Sequence, residues 1–125
     1  MTHPPQPGRR ERLQAILLRD GPTCAWCRTD LSGRTPATTD HVIPRVKGGP
    51  SWSENEVAAC RRCNRLRGHT SPTDWLAECE RLGWHPDEPR ITRVLESLAD
   101  AITTRGGQRR ARTYLDAQLR RLAKR

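Results

Sequence analysis

The chain has 125 residues, of which 34% are hydrophobic, and its 23 lysines and arginines against 14 aspartates and glutamates give a formal net charge of +9. A chain of this size and composition forms one small domain, or a domain with an extension, and a large core is excluded. No apolar run of the sequence is long enough to cross a bilayer, which excludes a membrane-spanning protein. The excess of positive charge favours a polyanionic partner.

The first residues predict an unstructured lead and then a short helix. Residues 1–8 contain three prolines and few apolar side chains, a composition typical of disorder. Leu13, Ile16 and Leu17 follow helical spacing, so a helix is expected from Arg9 until Gly21 and Pro22 stop it. The polar, basic N-terminal stretch lacks the apolar run of a secretory signal, so we expect a cytoplasmic protein.

Four of the five cysteines form two Cys-x-x-Cys pairs separated by 32 residues. The pairs are Cys24 with Cys27 and Cys60 with Cys63. This spacing favours one tetrahedral zinc ion held by four thiolates, a closed site that stabilises a small fold without performing chemistry. Disulfides or unrelated buried thiols are the alternatives, and a reducing compartment makes disulfides the weaker one. Cys79 is left over and is expected to be a half-buried thiol on a helix.

A run rich in β-branched residues, 38–43, predicts a strand that contains the neighbours Asp40 and His41. Pro44 lacks an amide hydrogen and is expected to mark the edge or exit of the sheet. Adjacent strand residues point to opposite faces. Joint action of Asp40 and His41 on one substrate therefore requires a bulge or a twist at the end of the strand.

The second half of the chain is predicted to be helical after a turn and a loop over residues 47–56. Helices are expected from near residue 61 to a break at Gly68, from 72 to about 82, from 88 to about 104, and over 108–124. From Arg105 to Arg125 there are eight basic residues and one acidic residue. We therefore expect the last helix to contact a polyanion through counterion release.

The order and spacing of these features resemble the HNH endonuclease family. The resemblance rests on Asp40-His41 shortly before a proline and a Gly-Gly turn, on the isolated Asn55, and on the Cys60-Arg61-Arg62-Cys63-Asn64 run. It places the residues that give the family its three letters at His41, Asn55 and Asn64. The third position has Asn where the family's name has His, a replacement that many members share. The resemblance covers roughly residues 22–68.

The resemblance implies both a fold and an activity. We expect a small α+β protein with a ββα-metal core of the His-Me finger type, clipped by structural zinc knuckles and flanked by helices. The expected boundaries are a lead over residues 1–8, a nuclease domain over 9–84 and a basic helical extension over 85–125. The expected activity is metal-dependent hydrolysis of DNA phosphodiester bonds, by nicking or by double-strand cutting.

The resemblance also assigns roles to individual residues. His41 is expected to be the general base, because a neutral imidazole can take a proton from water near pH 7. Asp40 and Asn64 are expected to hold one catalytic Mg²⁺ or Mn²⁺ ion through oxygen atoms. Asn55 would bond the backbone near His41 and orient the imidazole, and Arg67 would neutralise charge at the phosphate. Taken singly, these are also ordinary turn or surface residues, and the complete pattern favours catalysis.

The expected partner is DNA, contacted at its phosphates with low sequence preference because no base-reading element stands out. Two other functions fit the same sequence. A zinc-ribbon module would bind or regulate DNA without catalysis, and Asp40 and His41 would then be incidental. A structural or assembly protein of the phage or restriction-associated kind would use the helical tail to bind another protein.

Overall fold

The computed structural model describes residues 7–125, which form five α-helices and one two-stranded antiparallel sheet. The helices are α1 (Arg9–Asp20), α2 (Arg61–Arg67), α3 (Pro72–Arg81), α4 (Glu88–Arg105) and α5 (Arg109–Ala123), and the strands are β1 (Ala37–His41) and β2 (Glu56–Cys60). Short 3-10 turns cover Arg45–Lys47 and Ser53–Asn55. The predicted small α+β class with a ββα core is confirmed. The predicted disorder of residues 1–8 lies mostly outside the described residues.

The sheet is a hairpin that pairs in continuous register, from Ala37 opposite Cys60 to His41 opposite Glu56. The predicted strand over 38–43 therefore ends earlier, at His41. β2, which was not placed in advance, takes up the end of the predicted loop and is buried along its length. The described hairpin pairs without a bulge up to His41, so Asp40 and His41 keep the normal strand alternation.

The predicted helices are confirmed to within two residues at each end, because capping residues set their limits. Ser71 Oγ accepts a hydrogen bond from the Asp74 amide at 3.2 Å, which starts α3. Gly21 has a φ of 88° and its amide bonds the Leu17 carbonyl, which ends α1. Among the helices of residues 7–125, none is both long and apolar enough to cross a membrane.

One cluster of buried side chains joins all the main elements. Ile16 of α1, Val57 of β2, Leu76 of α3, Leu98 of α4 and Leu115 of α5 are each fully buried in it. The helices after residue 84 thus cover the sheet and the helices before it. The boundary expected between residues 84 and 85 separates the predicted nuclease domain from the basic extension. Buried side chains from both sides of it belong to one core.

Shortening Leu115 tests whether α5 belongs to this folded unit. Because the Leu115 side chain is fully buried, we expect Leu115→Ala to lower the free energy of unfolding by about 2–5 kcal/mol. The control is Leu18→Ala, a side chain that is 89% exposed, which should change it by less than about 0.5 kcal/mol. Urea unfolding followed by circular dichroism measures both variants. Equally small changes would mean that α5 is dispensable for the core.

Candidate active site and thiol cluster

The two Cys-x-x-Cys pairs meet at one point, which we call the thiol cluster (Cys24, Cys27, Cys60, Cys63). Its four sulfur atoms all lie within 4.8 Å of one another. Sulfurs around a tetrahedral zinc ion, with Zn–S bonds of about 2.3 Å, are roughly 3.8 Å apart. The cysteines of the described residues are free thiols, so the disulfide alternative is not adopted. The thiol cluster can therefore hold a zinc ion in a structural role.

The hairpin explains why the cysteines converge. Cys60 ends β2, and Cys63 lies in the first turn of α2, which follows at once. The Ala25 amide donates to the Ala58 carbonyl at 3.0 Å, which fastens the first pair beside the same strand. Hydrogen bonds from the Cys63 thiol and then from backbone amides lower the pKa of Cys24 to about 4. Cys24 therefore favours the thiolate, the form that binds metal, whereas burial raises the pKa of Cys60 and the hydrogen bond with Cys24 raises the pKa of Cys63.

Asp40 lies on β1 where the sheet, the thiol cluster and α2 meet. Its side chain is buried, Oδ2 accepts a hydrogen bond from Trp26 Nε1 at 2.8 Å, and Oδ1 lies 3.1 Å from Arg67 Nη1. Trp26 stands between Cys24 and Cys27, and Arg67 ends α2. The Asp40 carboxylate is thus bonded to one residue beside the first cysteine pair and to one residue of the helix that contains Cys63.

Arg67 is 1% exposed, which the sequence did not predict. Its guanidinium donates to the carbonyls of His41 at 2.8 Å, Val42 at 2.6 Å and Thr70 at 3.1 Å. The same group lies over the Trp26 ring, 5.1 Å from its centroid. Because these donors face inward, the prediction that Arg67 neutralises a substrate phosphate has no support from the geometry. Its contacts instead fix the end of β1.

Asp40, His41 and Asn64, which the sequence predicted to converge, line one small cleft of about 140 Å³, called the acidic cleft below. The acidic cleft is lined by Thr39, Asp40, His41, Pro44, Arg45, Asn64, Gly68 and His69. Asn64 Nδ2 donates to Thr38 Oγ1 at 3.0 Å and to the Thr39 carbonyl at 3.1 Å. These bonds use the nitrogen of the carboxamide and leave its oxygen available. Carboxylate and carboxamide oxygens are donors that suit Mg²⁺ or Mn²⁺.

The His41 imidazole is half-buried against β2. Its Nε2 lies 3.0 Å from Ser51 Oγ and 3.8 Å from Glu56 Oε2. Burial, followed by the positive charge of Arg45, lowers the pKa of His41 to about 4, although the Asp40 charge acts in the opposite direction. At neutral pH the imidazole is therefore uncharged and able to accept a proton.

Asn55 is fully buried and clamps the backbone that follows His41. Its Oδ1 accepts from the Ile43 amide at 2.9 Å, and its Nδ2 donates to the carbonyls of Ile43 at 3.1 Å and Pro50 at 3.0 Å. A Cβ on Gly49 would lie 1.8 Å from the Ile43 carbonyl oxygen, so this close approach requires glycine. The amide thus bonds the backbone two residues beyond His41.

Sequence reasoning missed the side chains that surround His41 and Asp40. Glu56 is fully buried and forms a two-point ion pair with Arg12, with N–O distances of 2.7 and 3.2 Å. In the sequence Arg12 belongs to the polar face of a predicted helix. Nothing in the sequence indicates that Trp26 contacts Asp40 or that Ser51 contacts His41. Glu56 had a weak signal, because an acid that opens the apolar run 57–59 is placed to be buried in a strand.

The sequence segment that contains this site matches a known family. The HNH endonuclease family model matches residues 24–76, the segment that contains the thiol cluster, Asp40, His41, Asn55 and Asn64. The resemblance identified in the sequence is therefore confirmed. The match to the HNH endonuclease family model covers residues 24–76, which is less than half of the chain.

Two curated proteins are similar to part of the chain. The CRISPR-associated endonuclease Cas9 of Actinomyces naeslundii is 35% identical over 69 residues, which are 54% of this chain and 6% of that protein. The Cas9 of Corynebacterium diphtheriae is 34% identical over 65 residues, which are 51% of this chain and 6% of that protein. The chain thus spans a small fraction of the length of these relatives. No solved structure matches the chain.

Replacing one sulfur of the thiol cluster tests the zinc site. Because a structural zinc ion stabilises the folded state directly, we expect Cys24→Ser to lower zinc content and the midpoint of thermal unfolding together. Cys79→Ser is the matched control, since Cys79 is buried but lies outside the thiol cluster, and it should keep its zinc. Elemental analysis and calorimetry measure the two quantities. Equal zinc content in both variants would rule out a four-thiolate site.

Proposed function

We propose that this chain is a metal-dependent endonuclease that hydrolyses phosphodiester bonds of DNA. One observation carries the proposal: a carboxylate from Asp40, a carboxamide from Asn64 and an uncharged imidazole from His41 line one cleft. The cleft lies in the segment that matches the HNH endonuclease family, and both curated relatives are named endonucleases. The reaction class of the family is therefore the best candidate for this chain.

Asp40 and Asn64 are the residues that would hold the divalent ion. Trp26 and Arg67 each occupy one acceptor position of the Asp40 carboxylate. An ionised carboxylate has about four such positions, so Asp40 can still bind a cation. When bound, the ion would act as a Lewis acid on the scissile phosphate and balance charge on the departing 3′ oxygen.

His41 is the proposed general base. In the proposed tautomer His41 Nε2 carries the proton and donates it to Ser51 Oγ, 3.0 Å away, and the buried Glu56 carboxylate lies 3.8 Å from the same nitrogen. Nδ1 then accepts a proton from a water molecule, whose oxygen attacks phosphorus as the bond to the 3′ oxygen breaks. The departing oxygen takes a proton from solvent, which leaves 5′-phosphate and 3′-hydroxyl ends. Asn55 acts as a positioning residue through the backbone that follows His41.

Basic side chains outside the acidic cleft are proposed to contact the phosphate backbone of DNA. Arg121 of α5 and Arg125, two residues beyond its end, form ion pairs with acidic side chains of α3 and α4, so these two arginines fasten the C-terminal segment to the core. Lys47, Arg109 and Arg110 instead border a groove of about 470 Å³ between the first 3-10 turn and α5. We place phosphate contacts in this groove. Such contacts carry no sequence information, which agrees with low sequence preference.

The free cysteines bear on the cellular compartment in which we propose that the protein is located. No cysteine of the described residues forms a disulfide, and four of them lie together. Clustered thiols persist in reducing compartments and oxidise elsewhere. A cytoplasmic location is therefore part of the same proposal.

Supercoiled plasmid, incubated with the protein and Mg²⁺, Mn²⁺ or EDTA, tests the function. We expect nicking or linearisation that requires the metal and slows by about 10²–10⁴-fold in His41→Ala, the usual contribution of a general base. The control is His85→Ala, an exposed histidine that does not line the acidic cleft, and it should retain full activity.

Three outcomes of this experiment would contradict the proposal. Cleavage that persists unchanged in His41→Ala would come from a contaminating nuclease. Duplex binding without scission in any divalent metal would favour the non-catalytic zinc-ribbon module. A stable complex with another protein that survives DNA removal, again without scission, would favour the assembly protein.

A further inference from the structure

We propose that a second cleft, on the other side of His41, binds the backbone phosphate next to the scissile one. This inference rests on the proposed function, since it takes the ligand to be the strand that is cut at His41. The second cleft, called the basic cleft below, measures about 200 Å³. It is lined by Arg9, Arg12, Thr39, His41, Arg45 and Ser51.

The acidic and basic clefts share part of their lining around His41. Thr39, His41 and Arg45 line both of them. A strand whose scissile phosphate lies beside His41 and Asp40 would then pass the imidazole and enter the basic cleft. Neighbouring phosphates of a strand are one nucleotide apart, so the next phosphate is the group that reaches it.

The charges of the basic cleft are not balanced by the protein. Arg12 is neutralised by its ion pair with the buried Glu56. Arg9 and Arg45 have no carboxylate within ion-pair distance among residues 7–125, and Arg9 Nε donates only to Thr39 Oγ1, at 3.3 Å. Two unmatched guanidinium groups that line one cleft repel each other, and an anion between them reverses that interaction. The basic cleft is therefore suited to an anionic ligand.

The chemistry of the lining selects a phosphodiester. Guanidinium groups present paired N–H donors that match two oxygens of a phosphate. The hydroxyl of Ser51 adds a donor beside His41, from which its Oγ is 3.0 Å away. The acidic cleft contains the Asp40 carboxylate and suits a cation, whereas the basic cleft suits an anion. A nucleic acid strand with a bound cation would supply the cation for the acidic cleft and the anionic phosphate for the basic cleft.

DNA affinity without metal tests the basic cleft separately from catalysis. Fluorescence anisotropy in EDTA, with a short labelled duplex over a range of NaCl concentrations, compares wild type with Arg9→Gln/Arg45→Gln. The charge-matched control is Arg34→Gln/Arg93→Gln, two exposed arginines that line neither cleft. Loss of two phosphate contacts should reduce the slope of log K against log salt by about 1.8 and weaken binding at least about tenfold, while the control changes affinity by less than about twofold.

Charge-preserving variants and metal-dependent turnover complete the test. Arg9→Lys/Arg45→Lys should restore most of the salt slope, because a lysine keeps the charge while losing the paired donors. In Mg²⁺ the Gln variant should raise KM more than it lowers kcat. Equal loss of affinity in the Gln variant and its control, or no loss in either, would overturn the basic cleft as a phosphate site. Wild-type protein that binds as expected but never cuts would instead overturn the proposed function alone.

Discussion

The buried carboxylate of Asp40 is the interaction on which both the fold and the site depend. A buried charge destabilises a protein unless it is paired and hydrogen-bonded. Asp40 meets this condition through Trp26 and Arg67, which stand beside different halves of the thiol cluster. The Ala25 amide, which donates to the Ala58 carbonyl of β2 at 3.0 Å, brings these halves together. A zinc ion in the thiol cluster would therefore hold the partners of Asp40 in place without taking part in chemistry.

The surroundings of His41 divide the site by charge. Asp40 and Asn64 line only the acidic cleft, Arg9 lines only the basic cleft, and Arg45 lies where the two meet. The imidazole between them stays uncharged because burial and the Arg45 charge lower its pKa. Normal strand alternation turns Asp40 and His41 to opposite faces of β1. The sequence alone had made their joint action doubtful for this reason. Asp40 turns toward α2 and His41 toward β2, yet both line the acidic cleft.

Much of the fold could be predicted because its signals are local. Caps such as Ser71 and glycines such as Gly21 determine helix limits within a few residues, and the spacing of the cysteines predicts their convergence. The start of β2 at Glu56 was missed because a buried acid in a strand depends on Arg12, a partner 44 residues away in the chain. The burial of Arg67 was not predicted for the same reason, since it follows from carbonyls that only the folded chain brings within reach. Residue types and spacing predict which groups are near the site, but not which way a long side chain turns.

Binding of Mn²⁺, followed by electron paramagnetic resonance on zinc-loaded protein, tests most directly whether Asp40 and Asn64 share one divalent ion beside His41. Asn64→Ala is the informative variant, because removing Asp40 would leave the buried Arg67 without its carboxylate. We predict a single Mn²⁺ ion per chain in the wild type and binding weakened by at least about tenfold in Asn64→Ala, with His85→Ala unchanged. Equal Mn²⁺ affinity in the wild type and Asn64→Ala would contradict a shared ion and place the cation elsewhere.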